Sequence, residues 1–275
     1  MNTFVPALNA EISKLLTTRI WWILAIILVV YLVFIAGGLG ALFGFFSTSD
    51  SQTVQQEAPP TEILAPMLYG SVSTFGYVFP VLLGALAVTG EYRHQLLTPT
   101  FLATPKRGIV LGAKSIALLI FGAVFGVFGV IASVGAGAGA LALFGLDTQL
   151  GDSETWAIIG RGVLALALWA VIGVGLGALI PNQVAAIVVI LAFTQFVEPT
   201  LRAVTMFADW AASLGRFLPG AASDALVGAP SLFTAGTAGV GADPLEWWQG
   251  GLLLAALALV LTVLGYFVSW KRDVT

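Results

Sequence analysis

The run from Ile20 to Phe46, IWWILAIILVVYLVFIAGGLGALFGFF, is apolar on every face of any helix or strand it could form. That property decides the solvent. A helix crosses the hydrocarbon core of a bilayer in about 20 residues, and a helix that is apolar all round must be buried in protein or lipid. A barrel strand would alternate apolar and polar side chains over about ten positions, which this run does not do. Similar runs recur along the 275 residues, 59% of them hydrophobic and 9% charged, against roughly 25% charged in soluble domains. The sequence predicts an all-α integral membrane protein with one transmembrane domain over residues 1–275. Its spans fall at 20–46, 64–90, 109–146, 157–180, 183–198 and 249–270.

The breaks between the runs carry their own information. The third run exceeds one crossing, so it must tilt, break near Gly135 to Ala140 (GAGAGA) or run past the membrane surface. Only Pro181 and Asn182 separate the fourth and fifth, which predicts a tight hairpin. In span two, Pro80 and Gly84 predict a kink. Two GxxxG spacings, Gly122 to Gly126 and Gly173 to Gly177, predict close helix packing rather than a dimer seam.

Orientation follows from lysine and arginine, which short loops retain on the cytoplasmic side. With both termini inside, the cytoplasmic set is Lys14, Arg19, Arg93, Lys106, Arg107, Lys114, Lys271 and Arg272, against Arg161, Arg202 and Arg216 outside. The acids Asp50, Glu57, Glu62, Asp147, Asp152, Glu154, Glu198, Asp209, Asp224, Asp243 and Glu246 fall outside. Glu11, Lys14 and Arg19 precede a run too long for a signal core, so a cleaved signal is not expected.

Two segments are amphipathic. In residues 1–19, Phe4, Leu8, Ile12 and Leu15 share one helical face while Glu11, Lys14 and Thr17 are read as pointing elsewhere, which predicts a helix lying in the inner interface. In the external segment 199–248, Leu201, Val204, Phe207, Ala211, Leu214 and Leu218 oppose Arg202, Thr205, Asp209, Ser213 and Arg216, which predicts short helices at the outer interface. The stretch TAGTAGVGADP that follows reads as a connector.

Most membrane chemistry is excluded by what the chain lacks. Without cysteine there is no thiol catalysis or iron–sulfur ligation, and one histidine, His94, leaves little for metals or a Ser/His pair. No GxxxxGK[ST] phosphate loop is present, so the chain is not expected to hydrolyse nucleotide. As read, the middles of the six spans hold no ionisable residue, which weighs against a proton-coupled carrier. Lys114 and Arg161 lie near span ends and are expected to snorkel outward. Polar groups within spans are few: Tyr69, Ser73 and Tyr77 at spacing four in span two, and Thr194 with Gln195 in span five. They are candidates for a substrate path.

The remaining oddity is the polar loop after span two, EYRHQLLTPTFLATPKRGIVLGAK from Glu91 to Lys114. The positive-inside rule accounts for its charges but not for its apolar residues. With the six spans, the N-terminal amphipathic helix and the external helices before span six, it resembles the permease subunit of bacterial type-2 ABC transporters. The sequence likeness is confined to this loop. There Glu91 takes the place of the family's acidic residue, Pro105 of its proline, Arg107 of its basic residue and Lys114 of the lysine opening span three. Gln95 and Leu96 stand where many relatives have Gly-Thr.

The resemblance implies that residues 91–108 form a coupling helix on a separate ATP-binding subunit. Leu96, Leu97, Phe101 and Leu102 would be its apolar anchors, and Glu91, Arg93, Pro105, Lys106 and Arg107 their surround. It further implies two permease chains about a two-fold axis and two ATP-binding subunits that hold ATP and Mg, with no cofactor or metal here and no nucleic acid partner. The implied activity is export of a hydrophobic or amphipathic compound (drug, peptide antibiotic or lipid) across a bacterial inner membrane. A non-transporting scaffold that recruits a cytoplasmic partner and a sodium-coupled carrier remain the alternatives.

Overall fold

A computed structural model describes residues 4–49, 59–205, 213–230 and 245–270. Asp50, Glu57, Phe207, Asp209, Ala211, Asp243, Lys271, Arg272 and the connector at 234–244 lie outside the described residues. Among the described residues there is no strand. Six helical segments are long and apolar enough to cross a membrane: Ile20–Thr48, Thr61–Arg93, Arg107–Leu143, Ser153–Leu179, Gln183–Thr205 and Trp247–Trp270. The chain is a multi-pass helical membrane protein.

Helix α1 (Phe4–Thr17) precedes span one, α2 (Ile20–Thr48). Span two is two helices, α3 (Thr61–Phe75) and α4 (Val78–Arg93). A short α5 (Leu97–Ala103) follows, then α6 (Arg107–Leu143) and α7 (Ser153–Leu179). Span five comprises α8 (Gln183–Ala192), a π turn (Phe193–Val197) and α9 (Glu198–Thr205). After α10 (Pro219–Val227), α11 (Trp247–Gly265) ends in a second π turn (Tyr266–Trp270).

Helix α7 is the hub, packed on α6, α4 and α11. Lipid supplies no hydrophobic drive between helices, so association depends on close backbone approach at small residues. Gly122 and Gly126 of α6 sit against Ala167 and Val163 of α7, Gly173 and Gly177 of α7 against Val81 and Ala85 of α4, and Gly175 against Leu261 of α11. A β-carbon at any of these glycines would overlap the facing helix. Both GxxxG spacings are thus spent within the chain.

The prolines act four residues before themselves, because a proline nitrogen cannot donate to the carbonyl of residue i−4. Span two breaks at Gly76 and Tyr77 rather than at Pro80 or Gly84. The Gly76 carbonyl, released by Pro80, accepts from Phe79 N–H instead (3.3 Å). Gly84 lies in continuous helix and lets α4 approach Ala170 of α7. Pro66 likewise releases the Glu62 carbonyl, which accepts from the Gln149 side-chain amide (2.8 Å).

Helix α6 runs unbroken through Gly135–Ala140 for 37 residues, about 55 Å against a hydrocarbon core of about 30 Å. The hairpin between α7 and α8 turns at Pro181, and Asn182 caps α8 by accepting from Ala185 N–H (3.0 Å). The helical segment of span five continues past 198 to Thr205, so Arg202 shares it with Glu198.

Candidate functional site

The described residues contain two largely buried ionic clusters. The first lies beside α5. Lys14 Nζ is 2.6 Å from Glu11 Oε1 and 2.7 Å from Glu91 Oε1. Lys114 Nζ bonds to Glu11 Oε2 and lies 3.1 Å from Glu91 Oε1. Two acids and two bases thus join α1, the end of α4 and the start of α6.

Two expectations are corrected here. Lys114 is 2% exposed and does not snorkel, because two carboxylates meet it inside the fold. Glu11 does not point away from the apolar face of α1. It follows Leu8 by three residues and precedes Leu15 by four, the spacing of one helical face, and it is buried with Leu15. Burial pushes the Glu11 carboxyl upward, but Lys114 and Lys14 outweigh it and hold Glu11 below the ordinary carboxylate value. Burial pushes Lys14 downward, and Glu91 and Glu11 outweigh it and hold Lys14 above its ordinary value.

The chain reverses after this cluster at Gln95, whose φ is 54°, a left-handed conformation uncommon outside glycine, asparagine and aspartate. Helix α5 follows, resting on the fold by one face. Leu97 is 1% exposed and joins Leu15, Val110, Leu111 and Trp270 in the main apolar cluster. Phe101 meets the Trp270 ring edge-on (5.7 Å between centroids), and the Arg107 guanidinium lies 4.8 Å from the Phe101 ring centre. Trp270 Nε1–H donates to the Arg107 carbonyl (3.1 Å) and packs on Tyr92. Arg93 Nη1 donates to Gln183 Oε1 at the start of α8 (3.1 Å).

The expected row of four exposed anchors is therefore split. Leu97 and Phe101 hold α5 to its own chain, while Leu96 (45% exposed) and Leu102 (79% exposed) face outward. Pro105 and Lys106 are exposed and Arg107 is half-buried.

The second cluster is built by α3, α9 and α10. Arg202 Nη1 donates to Asp224 Oδ2 (2.7 Å) and Nη2 to Glu198 Oε1 (3.3 Å). Ser73 and Thr74 hydroxyls donate to Asp224 Oδ1 (3.1 and 2.9 Å), and Gly220 N–H donates to Glu198 Oε1. A β-carbon at Gly220 would overlap Glu198 and Arg202. Leu201 and Val204 face outward from α9 while Arg202 and Glu198 face in. The apolar and charged residues thus lie on opposite sides of α9, the charges toward the bundle.

Tyr77 is the middle residue of the 33-residue span Thr61–Arg93, and Thr194 that of the 23-residue span Gln183–Thr205. The Tyr77 hydroxyl reaches both the Thr194 carbonyl (3.2 Å) and Glu198 Oε2 (3.4 Å). Glu198 is thus tied through one hydroxyl to the central residue of another long helical segment, beside α10, whose Ser223 accepts from Trp169 Nε1–H (3.0 Å).

A cavity of about 230 Å³ opens beside this cluster. Three of the five predicted path residues line it: Tyr77, Thr194 and Gln195. Ser73 is buried on Asp224 beside it, and Tyr69 lies apart, its hydroxyl donating to the Thr148 carbonyl (2.6 Å). Tyr31, Thr74, Phe75, Glu198, Pro199 and Arg202 complete the wall. Glu198 and Arg202, at i and i+4, have the spacing of a helical ion pair; the aromatic residues carry no distinguishing sequence signal. The wall follows from two helix irregularities, the Gly76–Tyr77 break and the π turn at Phe193–Val197, the latter a feature often found at functional sites. No group of three potential metal ligands occurs among the described residues. Comparison with protein-family models and with curated proteins found no match.

Proposed function

We propose that the chain is the permease subunit of a bacterial ATP-driven exporter of the type-2 ABC class. In this reading both termini are cytoplasmic, α1 lies in the inner interface, and two copies assemble with two ATP-binding subunits that supply ATP and Mg. The chain itself performs no catalysis.

The observation that carries the reading is the mounting of α5. One face is fixed to the chain by Leu97 and Phe101, and the other offers Leu96 and Leu102 to a partner. Isolated exposed leucines are ordinary on a protein surface. Here they project from a short helix held at both ends, by Glu91 toward α1 and α6 and by Trp270 toward the end of span six. A displacement of α5 is thereby shared among spans two, three and six. That is what a subunit without its own phosphate loop needs in order to use another protein's ATP.

The test is the pair Leu96→Asp and Leu102→Asp. With expression and melting unchanged, each should abolish co-purification of a co-expressed ATP-binding subunit that the native chain retains. Undiminished co-purification would overturn the reading. A second reading, an ion-coupled carrier, is favoured by the buried carboxylate of Glu198 beside the cavity. It requires transport by the isolated chain in liposomes driven by an ion gradient without ATP.

A further inference from the structure

We propose that the cavity between spans one, two and five binds the head group of an amphipathic organic monocation. The proposal rests on the permease reading for what then happens to the bound molecule, but not for the binding itself.

The first consideration is charge. Of the charged residues, Glu198 and Arg202 line the cavity, and Asp224, outside the lining, binds the Arg202 guanidinium. Asp224 is engaged on both oxygens, by Arg202 on one and by the Thr74 hydroxyl on the other, where Ser73 also reaches it while sharing its proton with the Gly70 carbonyl. Glu198 is less fully matched. Its Oε1 accepts from Arg202 and Gly220, while Oε2 meets only the Tyr77 hydroxyl at 3.4 Å, whose single proton is divided with the Thr194 carbonyl. A carboxylate oxygen on a residue 1% exposed, and so weakly matched, is an acceptor in want of a cation.

The second consideration is the kind of cation. Tyr31, Phe75 and Tyr77 line the same space. Aromatic rings attract soft organic ammonium groups, especially when desolvated; a small inorganic ion would need a cage of oxygens. At about 230 Å³ the cavity is smaller than a pocket for a whole drug-sized molecule. It holds a head group, and the rest of the ligand must lie outside. Phe34, one turn from Tyr31 on α2, and Phe196, next to Gln195, are both strongly exposed and offer an apolar track beside the opening. Charged head inside and apolar tail along the lipid-facing helices is the layout for an amphipathic cation.

The test uses the full-length chain in nanodiscs without the ATP-binding subunit, titrated calorimetrically against empty nanodiscs. The probes are benzyltrimethylammonium and neopentylbenzene, which share a shape and differ in charge. The cation should bind at least about tenfold more tightly than its neutral twin, the ratio expected of a desolvated ion interaction worth about 1.4 kcal/mol or more. Glu198→Gln should abolish that preference. Tyr31→Leu, which touches no charged group, should weaken the cation several-fold and decides the question if the first variant does not fold. Equal binding of the two probes, or a preference untouched by either substitution, overturns the proposal. Because the ATP-binding subunit is absent, that failure leaves the coupling reading standing. Loss of co-assembly with cation binding intact would be the reverse case, in which the site stands and the coupling reading falls.

Discussion

The two buried ionic clusters differ in balance and in what surrounds them. Beside α5, Glu11, Glu91, Lys14 and Lys114 match acid for base. In the other, built by α3, α9 and α10, Glu198 and Asp224 share the one guanidinium of Arg202, and Glu198 and Arg202 border a cavity. Burying a pair of charges contributes little net stability, but removing one partner is strongly destabilising. In the proposed account the cluster beside α5 acts as a joint, and the one beside open space as a binding site.

The comparison breaks most readily at Lys114. Lys114→Met leaves two buried carboxylates facing Lys14 alone and should cost about 3–5 kcal/mol, seen as a drop of roughly 10 °C in the melting midpoint of the detergent-solubilised chain. An unchanged midpoint would mean the cluster is hydrated and no joint. A sharper contrast comes from the same substitution made twice. Glu91→Gln unbalances the first cluster and should cost about 2–3 kcal/mol, whereas Glu198→Gln restores balance to the second and should cost less than about 1 kcal/mol. Chemical denaturation of the two variants checks the order; equal losses would erase the distinction.

The smallest effect is on pH. Glu11 is held below its ordinary value of 4.5, so its stabilising contribution is complete above that value and is lost as pH falls through the lowered one. Lys14 is held above 10.5, so its contribution is complete below that value and is lost as pH rises through the raised one. The melting midpoint should be insensitive to this cluster between those limits, and Glu11→Gln should remove part of the acid limb. An acid limb identical in the variant would place the sensitivity elsewhere.

What is legible in the sequence divides along the same physical line. Lipid selects apolar runs whatever their neighbours, so six spans are visible in composition alone. Pairings across the fold are not. Glu11 meets Lys114 from 103 residues away, and periodicity assigns an acid to solvent unless its partner is known. Phe101 reads as an anchor for another protein because nothing local reveals Trp270, which covers it. Pro80 is conspicuous in the sequence, but its consequence lies at Gly76. Charges ordinarily end spans, so the sequence alone stops span five at Glu198, although the i, i+4 placement of Arg202 supplies the compensation that lets the helix continue.

The central claim, that the joint beside α5 carries motion between an ATP-binding partner and the spans, is tested most directly by ATP turnover. In the complex of this chain with its ATP-binding subunit, stimulation of hydrolysis by benzyltrimethylammonium is compared between the native chain and Glu91→Gln. Stimulation should fall to the basal rate in the variant while assembly and cation binding persist. Full stimulation in a complex that lacks the Glu91 charge would contradict a mechanical role for the joint.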